Sequence, residues 1–523
     1  MRSESENPTD LGLPIPSWRP GQWELAQEVL DRFGHHQIVA LEAPPGVGKS
    51  VIAVAVSRLL GDKTLILTGT KQLQDQYASL FPGMIDIRGR GNYPCIAYTG
   101  EDCSQGCCTV GEPCEYQFGD GGNPKTIPCH YYRRKAEALS SSLVVANYAY
   151  YLADNGKRAG KLRKSTKLFV LDEAHTIEDQ IRGWLRVEIS QRARKALGIE
   201  TVDPFSQSWL ESVVRGARLW VAEHHGWEKN WGHLSRNERG LFASITRLKL
   251  DLGRVVGDLE ENAMSWVPEQ FGESLAFKPV TVSSWARESL FDGSKYVLMM
   301  SAVLPWSVLE ELGEGKDSDY VTRISVPSPF PVSHRPAIFL PTARVNQAMD
   351  EVGETALVET VDKILDHHGN SKGLIHTTNY KIAKLFVLNS RHQSRLVSHE
   401  QKDRVEALRK FKASARPLVM ISPSMTTGVD LPYEQCRFQI VAKLGWPDRG
   451  DLQVKLRTQF VGGDSWYASR TIQALVQAYG RGVRAEDDRC VFYILDETFR
   501  GLLGRWREEF PAWFLEALQT ARA

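Results

Sequence analysis

With 523 residues, 42% of them hydrophobic and 24% charged, the chain has the composition of a soluble globular protein of about two to four domains. Its 64 Lys and Arg residues balance 63 Asp and Glu residues, giving a formal charge of +1. This excludes a strongly basic or acidic protein, so any nucleic-acid-binding surface must be local. Residues 1–10 lack the basic start and apolar segment of a secretory signal, and no apolar run approaches about 18 residues. The sequence therefore predicts a cytoplasmic protein without a membrane span.

A Gly-rich segment follows the first predicted strand. The strand covers Gln37–Leu41, the segment is Glu42–Ser50, and an apolar helix is predicted for Lys49–Leu60. Gly46 and Gly48 would let backbone N–H groups approach phosphate oxygens, and the positive N-terminal end of the helix would add to this attraction. The pattern predicts a phosphate-binding loop.

Four side chains in and after this loop have the chemistry needed for nucleotide hydrolysis. Lys49 would contact the β- and γ-phosphates, and the Ser50 hydroxyl would bind Mg²⁺. A second buried strand, Leu168–Leu171, ends at Asp172 and Glu173, where open α/β sheets place their chemistry. Asp172 could hold Mg²⁺ through its water shell, and Glu173 could polarise an attacking water. Such a pair is often only a solvated turn, and the upstream phosphate loop favours the functional interpretation.

The cysteines are clustered. Six of the eight fall within a Gly-rich segment that has few aliphatic residues, at Cys95, Cys103, Cys107, Cys108, Cys114 and Cys129. In a reducing cytosol this indicates metal binding rather than disulfides, and a metal would stabilise a segment with little apolar core. No Cys-x2-Cys pair typical of zinc sites occurs, and the uneven spacing suits a four-thiolate iron–sulfur cluster at least as well.

The rest of the chain divides into a helical segment and a second α/β series. Residues 176–270 are rich in Trp and Arg and predict an inserted helical domain. After a strand at Tyr296–Met300, the second series begins beyond Pro305. Its strands are predicted near Ala337–Leu340, Gly373–His376, Leu418–Ser422, Phe438–Ala442 and Val491–Leu495.

The segment Gln473–Arg484 carries polar groups at a regular spacing. If it is helical, Gln477, Arg481 and Arg484 lie on one face. A surface ion-pair helix would show similar spacing, but Gly480 and Gly482 interrupt the pattern and argue against ordinary helix design.

In this order the motifs resemble those of a superfamily 2 helicase, in particular the iron–sulfur branch that contains XPD and DinG. The resemblance runs from Arg19 to Asp496. The segments that carry it are Arg19–Gln22 for adenine sensing, Ala43–Ser50 for phosphate, Thr68–Gln76 for DNA, Gly89–Cys95 and Cys129–Arg134 around the cluster, Asp172–His175 as the acidic box, Ser301–Val303 for coupling, Thr427–Asp430 as the fifth motif and Gln477–Arg484 as the arginine motif.

The resemblance implies an α/β fold with two RecA-like P-loop domains. Motor domain 1 is expected to be discontinuous, over residues 1–90, 136–178 and 272–312, and motor domain 2 over residues 313–523. An iron–sulfur insertion is expected at residues 91–135 and a helical arch-like insertion at residues 179–271. Nothing before Arg19 fits a nuclease or other accessory domain, so the chain resembles a stand-alone motor.

The resemblance also implies the cofactors ATP, Mg²⁺ and a [4Fe–4S] cluster. The expected catalytic residues are Lys49, Glu173, Arg481 and Arg484. The expected nucleotide-binding residues are Arg19, Gln22, Gly46, Val47, Gly48, Lys49, Ser50, Asp172, His175, Gly428, Asp430 and Gln477, with Ser50 and Asp172 holding Mg²⁺.

Six cysteines compete for four cluster positions. The flanking matches select Cys95 and Cys129. Cys108 and Cys114 are the expected middle pair, because Gly111 and Pro113 beside them can turn the chain back toward one centre; Cys103 and Cys107 are the alternative. Zinc remains the rival metal.

The function implied is ATP-driven 5′→3′ translocation on single-stranded DNA with duplex unwinding at junctions or forks, by a monomer without a membrane partner. Whether RNA–DNA hybrids serve as substrates stays open. Val303 stands where the family usually has Thr, and so lacks a hydroxyl that is thought to couple hydrolysis to movement. A second hypothesis is therefore a DNA-stimulated ATPase or translocase that remodels nucleoprotein without unwinding. A third is a zinc-stapled nucleic-acid binder with a regulatory nucleotide site.

Overall fold

The computed structural model describes residues 7–112, 114–117, 128–155, 160–199, 203, 206–422 and 431–521. The strands, numbered along the chain, are β1 (Ile38–Glu42), β2 (Thr64–Thr68), β3 (Ile85–Asp86), β4 (Leu143–Asn147), β5 (Leu168–Asp172), β6 (Val187–Ile189), β7 (Trp266–Phe271), β8 (Ser274–Pro279), β9 (Tyr296–Ser301), β10 (Val321–Ser325), β11 (Ala337–Ala343), β12 (Gly373–His376), β13 (Leu396–Val397), β14 (Val419–Ser422), β15 (Phe438–Val441), β16 (Val491–Asp496) and β17 (Leu518–Thr520).

The helices are α1 (Gln22–Phe33), α2 (Lys49–Leu60), α3 (Lys71–Leu80), α4 (His130–Ser140), α5 (Tyr148–Asn155), α6 (Lys161–Ser165), α7 (Ile177–Leu185), α8 (Gln191–Ala196), α9 (Gln207–Glu223), α10 (Arg236–Glu261), α11 (Ser283–Ala286), α12 (Trp306–Glu311), α13 (Glu351–His367), α14 (Tyr380–Asn389), α15 (Arg404–Ala413), α16 (Leu452–Arg457), α17 (Gly463–Tyr479), α18 (Thr498–Arg505) and α19 (Ala512–Leu515). None of the described helices is both long and apolar enough to cross a membrane.

Two seven-stranded parallel sheets form the two motor domains. The first has the order β10-β1-β9-β5-β2-β4-β3 and the second the order β13-β14-β12-β15-β16-β11-β17. Alternate residues of a strand face opposite sides of a sheet: Ile38 and Ala40 belong to one hydrophobic cluster, and Val39 and Leu41 to another. Both faces are therefore covered, as a parallel sheet requires. The predicted fold class is confirmed in its two RecA-like domains.

The strand order places the predicted motifs at one edge of the first sheet. Strand β9 lies between β1 and β5, with Glu42 opposite Ser301 and Asp172 opposite Met300. The phosphate loop, Ser301 and the acidic box therefore follow the carboxyl ends of three adjacent strands, where α/β sheets bind ligands.

The first sheet extends beyond residue 312, where the sequence placed the domain boundary. Strand β10 pairs in parallel with β1, with Val321 opposite Ile38. Only Val321 and Ile324 of this edge strand carry large aliphatic side chains, so its pattern resembles a polar connector. Sheet membership supports a boundary after Ser325.

The two insertions pack against each other. The segment expected to be helical holds α8–α10 and also the strands β6 and β7. With β8, from residues expected to belong to motor domain 1, they form an antiparallel sheet of order β6-β8-β7, and the β7–β8 hairpin turns at Gly272 with φ of 57°. Trp231 Nε1 donates to the Gln105 carbonyl oxygen at 2.9 Å, and Arg239 pairs with Glu101 at 3.3 Å. The Cys-rich segment is therefore held by the helical segment as well as by its own turns.

Candidate active site and cysteine cluster

The phosphate loop has the backbone that its sequence predicts. Gly46 and Gly48 have φ of 90° and 85°, in the left-handed region that glycine adopts without strain. A Cβ on Gly48 would lie 2.3 Å from Gln22 Nε2, so a side chain there would also clash. Lys49, at the start of α2, donates from Nζ to the Ala43 carbonyl oxygen at 2.9 Å, which holds its ammonium over the loop.

The segment Arg19–Gln22 contacts this loop directly. Arg19 Nη1 donates to the Gly46 carbonyl oxygen at 2.6 Å, and Gln22 Nε2 donates to that of Val47 at 2.7 Å. Gln22 Oε1 accepts from the Arg19 backbone N–H at 2.9 Å, which ties the two together. A ligand contacting Arg19 or Gln22 would therefore act on the loop conformation.

Ser50 and Asp172 are brought together by Tyr77. The buried Tyr77 hydroxyl donates to Asp172 Oδ2 at 3.1 Å and also hydrogen-bonds Ser50. Burial and the adjacent Glu173 raise the pKa of Asp172 to about 6, while Lys49 opposes this shift. A hydroxyl and a carboxylate beside the phosphate loop are oxygen donors of the kind Mg²⁺ prefers, so these residues fit that ion.

Glu173 has a strained backbone conformation, and one of its carboxylate oxygens lacks a hydrogen-bond partner among the described residues. Its φ of 50° is unusual for a residue with a side chain. Oε2 is buried and has no hydrogen-bond partner among the described residues, with His175 Nδ1 at 3.3 Å. Such an oxygen is suited to accept a hydrogen bond from a water.

His175 joins three of the predicted motifs. Its Nδ1 lies 2.9 Å from Ser301 Oγ in the coupling motif and 3.5 Å from Gln477 Nε2 in motor domain 2. Burial and the charge of Arg470 lower the pKa of His175 to about 3, so the ring is neutral at physiological pH. The acidic box therefore contacts the second domain through a neutral imidazole.

The arginine motif is only partly helical. Helix α17 ends at Tyr479, so Gln477 is helical while Arg481 and Arg484 lie in the turn that follows. The charge of Arg481 contributes to lowering the pKa of His175, so the two side chains lie within electrostatic range of each other. Arg484 is exposed, and its backbone N–H donates to Asp488 Oδ2 at 3.2 Å. Gly428 and Asp430 lie outside the described residues.

Val303 of the coupling motif lies in an apolar environment. Its side chain is fully buried in a hydrophobic cluster otherwise built mainly from motor domain 2. Trp513 Nε1 of that domain donates to the Ala302 carbonyl oxygen at 3.0 Å. The coupling motif therefore contacts the second domain by packing at the position where the family usually has a hydroxyl.

Four cysteine side chains lie near one another. The hydrogen bond with Cys129 and the charges of Cys129, Cys95 and Cys108 all act on the Cys103 thiol and raise its pKa. Cys103 Sγ lies 3.7 Å from Cys129 Sγ. A Cβ built on Gly106 would lie 3.5 Å from Cys108 Sγ and 3.6 Å from Cys95 Sγ. The expected set included Cys114 in place of Cys103; the Cys114 thiol hydrogen-bonds that of Cys107 instead.

The described cysteines do not form a site assembled for a single ion. Among the described residues no three His, Cys, Asp or Glu side chains are placed to hold one metal ion. Arg90 Nη1 also donates to Cys108 Sγ at 2.8 Å.

Some candidate residues were missed by the sequence reasoning. A cleft of about 1060 Å³ opens at the carboxyl edge of the second sheet. Within it, Trp446 stacks on Tyr467 at 5.4 Å between ring centroids, and the Arg449 guanidinium lies 4.7 Å from the Tyr467 centroid. Trp446 and Arg449 lie in the loop between β15 and α16, and Tyr467 lies in α17. No local sequence motif marks these residues.

Comparisons with known proteins agree with these motifs. The family model described as "Helicase C-terminal domain" matches residues 363–517, and "Type III restriction enzyme, res subunit" matches residues 15–200. ATP-dependent DNA helicase YoaA of Haemophilus influenzae is 21% identical over 93% of this chain and 92% of its own. ATP-dependent DNA helicase XPD of Sulfolobus acidocaldarius is 19% identical over 94% of this chain and 97% of its own. A solved XPD helicase has a TM-score of 0.63 at 15% identity, covering 97% of this chain and 100% of that one.

Two RecA-like domains with these motifs in this order define a superfamily 2 helicase. The similarity to YoaA and XPD over more than nine-tenths of the chain supports an XPD/DinG-like helicase, as the sequence motifs predicted.

Proposed function

We propose that this chain is an ATP-dependent DNA helicase that couples ATP hydrolysis to 5′→3′ movement on single-stranded DNA and to duplex unwinding. The observation that carries the proposal is that both motor domains contribute to one cleft. His175 of the acidic box lies 3.5 Å from Gln477 Nε2 of the arginine motif. Hydrolysis that needs groups from both domains depends on how the domains meet, and a strand bound across them can bias that geometry.

In this proposal the first domain binds the nucleotide. The backbone N–H groups of the phosphate loop and the positive end of α2 hold the phosphates, and Lys49 contacts the β- and γ-phosphates. Ser50 and Asp172 would hold Mg²⁺, which when bound neutralises charge on the phosphate oxygens. Arg19 and Gln22 would contact the adenine base, and their hydrogen bonds to the phosphate loop would couple binding of the base to the conformation of the loop.

The hydrolytic step uses groups from the two sides of the cleft. Glu173, with its open oxygen, orients and polarises the attacking water. Arg481 and Arg484 stabilise charge on the γ-phosphoryl group in the transition state, a contribution of about 10³–10⁵ in rate in other nucleotide hydrolases. Asp430 and Gly428 would complete the site from the second domain.

The lining of the cleft in the second domain supports the proposal that the protein moves along a single-stranded nucleic acid. Its lining includes the basic side chains Arg344, Lys443, Arg449, Arg500 and Arg505, against Asp448, Asp464 and Glu497. Aromatic stacking surfaces beside cations suit exposed bases and phosphates without selecting a sequence. The names of the relatives, both ATP-dependent DNA helicases, favour DNA.

For the Cys-rich insertion we propose Cys95, Cys103, Cys108 and Cys129 as the ligands of a [4Fe–4S] cluster. The support is that the Cys95 and Cys108 sulfurs lie beside Gly106, the Cys103 and Cys129 sulfurs lie 3.7 Å apart, and the charges of the other three act on Cys103. A cluster held there would supply folding energy to a segment whose core is small.

The presence of Val303 where the family usually has Thr supports a second candidate function. An apolar residue there could weaken the coupling of hydrolysis to movement and leave a DNA-stimulated ATPase that remodels nucleoprotein without unwinding. The burial of Val303 among side chains of the second domain supports a contact between the coupling motif and that domain, which favours the helicase.

Strand displacement on duplexes with a 5′ or a 3′ single-stranded tail tests the proposal. ATP-dependent unwinding of the 5′-tailed duplex alone is expected. DNA-stimulated hydrolysis without unwinding of either duplex would select the remodelling function. Purified protein that carries zinc and no iron, and hydrolyses no ATP, would select the zinc-stapled binder.

A further inference from the structure

Two helices that adjoin the catalytic motifs meet across the domain interface. Helix α7 begins directly after the acidic box, and α17 leads into the arginine motif. Arg470 of α17 pairs with Asp179 of α7 at 2.6 Å and with Glu178 at 3.7 Å. Trp466 Nε1, one turn earlier in α17, donates to Glu178 Oε1 at 2.9 Å.

A second set of ion pairs continues this contact toward α12 and α16. Arg457 of α16 donates to Glu311 Oε2 of α12 at 2.8 Å. Arg182 lies between the two sets, 2.5 Å from Glu178 and 3.8 Å from Glu311. Three guanidinium groups and three carboxylates therefore form one inter-domain network, consisting of Glu178, Asp179, Arg182, Glu311, Arg457 and Arg470.

The centre of the network is buried where the two domains touch, whereas the Arg470–Asp179 pair lies at its edge, with 25% and 50% of the two side chains exposed. Glu178 and Glu311 each expose 2% of their side chains and Arg457 exposes 6%. Burial alone would raise the pKa of Glu178, but Arg182 and Arg470 hold it below its usual range. Burial and the Glu178 charge raise the pKa of Glu311 despite Arg457 and Arg182. The two carboxylates thus depend on cations supplied from both domains.

Buried ion pairs of this kind contribute little net stability, because each group loses its hydration on closure. They do fix how the two domains align, since any other alignment of α7 against α17 in the closed protein would leave a buried charge unpaired. Here the register matters for chemistry: Glu178 is in the first turn after His175, and Arg470 is two turns before Gln477. His175 and Gln477 are the residues that meet across the cleft.

We propose that this inter-domain network holds the acidic box and the arginine motif in register for ATP hydrolysis, with Arg470 as its main positioning residue. The inference rests on the proposed ATPase function and names residues that act on it from outside the nucleotide site. ATP binds mainly to the first domain, whereas the arginines of the second domain act in the transition state. Loss of register should therefore lower kcat and leave nucleotide affinity unchanged.

Arg470→Gln tests this in the full-length protein. With saturating single-stranded DNA, kcat for ATP should fall about tenfold or more, because small misplacements of catalytic groups have large effects. Affinity for a non-hydrolysable ATP analogue should stay within about twofold of wild type. Arg470→Lys should recover part of kcat, and Arg409→Gln, in an exposed ion pair with Glu406 on α15, should leave both quantities unchanged.

A charge exchange separates positioning from loss of fold. Glu311→Arg and Arg457→Glu alone should each lower kcat, and the double variant should recover at least part of it. Wild-type kcat in Arg470→Gln, or no recovery in the double variant, would overturn the network proposal while wild-type hydrolysis upholds the ATPase. If Arg470→Gln does not fold, Arg470→Lys and the exchange decide it. No hydrolysis by the wild type would instead contradict the proposed function, and the network proposal with it.

Discussion

Gly480, which follows α17, packs against Pro45 of the phosphate loop, so that a Cβ on Gly480 would lie 3.2 Å from Pro45 Cγ. The backbone of Gly480 is in the right-handed helical region, so the need for glycine is steric rather than conformational. The two domains thus meet within van der Waals contact at the nucleotide site.

Gly480→Val should lower kcat for ATP, because a branched side chain would push the arginine motif away from the phosphate loop. Gly480→Ala should have a smaller effect, since Pro45 needs to move only by tenths of an ångström. Gly504→Val is the matched control: a Cβ at Gly504 meets no atom within 4 Å. Steady-state hydrolysis by the three variants checks this, and equal rates would show that the contact plays no part in turnover.

Lys49→Ala should abolish ATP hydrolysis and leave the circular dichroism spectrum unchanged. The ammonium lies over a loop whose glycines and helix are placed for phosphate. Lys410→Ala, at an exposed position on α15, should hydrolyse ATP as the wild type does. Normal turnover in a folded Lys49→Ala protein would show that this loop is not the catalytic phosphate site.

Arg481→Ala and Arg484→Ala should each reduce kcat far more than they reduce nucleotide affinity. Arginines that act on the γ-phosphoryl group do so mainly in the transition state. Single-turnover hydrolysis beside analogue binding separates the two effects. If both variants lost affinity alone, the arginines would be binding groups, and hydrolysis would not need the second domain in the way proposed.

The sequence predicted most of the fold that positions the site, because parallel strands are buried on both faces and appear as short apolar runs. The predicted strand Gly373–His376 agrees with the structure residue for residue, and the predicted strands Leu168–Leu171 and Tyr296–Met300 each end one residue before the observed strand does. Strand β10 was missed because an edge strand has a more polar pattern. The β7–β8 hairpin was missed because it lies at the end of the segment predicted to be helical and has no distinctive sequence pattern.

The residues of the candidate site also divide into those that the sequence could place and those that it could not. Residues within one local motif, such as Lys49 and Ser50, could be placed from sequence because strand, loop and helix are contiguous. The Arg470 ion pairs and the pairing of Cys103 with Cys129 depend on how distant segments meet, which spacing does not encode.

Val303→Thr should lower the free energy of unfolding by about 1–3 kcal/mol, because it places a hydroxyl among apolar side chains. Val405→Thr, at a position that is 80% exposed, is the matched control and should change little. Thermal unfolding compares the two, and unwinding assays show whether the hydroxyl changes coupling. Unchanged stability together with faster unwinding would show that the hydroxyl finds a partner and strengthens coupling.

The last prediction concerns which cysteines bind iron. Wild-type protein purified without air should contain about four iron atoms per chain, the content of one [4Fe–4S] cluster. Cys103→Ser should lose most of this iron, because Cys103 Sγ lies 3.7 Å from Cys129 Sγ and the charges of Cys95 and Cys108 also act on it. Cys114→Ser should retain it, because Cys114 is paired with Cys107.

Iron content and visible absorption check this without reference to activity, and both serine variants remove one thiol from the same segment. Cys107→Ser is a further control and should also retain iron. Because the cluster would stabilise a segment with little core, Cys103→Ser should make residues 95–129 more sensitive to protease than Cys114→Ser does. DNA unwinding should then fail in Cys103→Ser while some ATP hydrolysis persists at the separate nucleotide site. Full iron in Cys103→Ser with loss in Cys114→Ser would restore Cys108 and Cys114 as the middle ligands, and zinc in place of iron in the wild type would exclude the cluster.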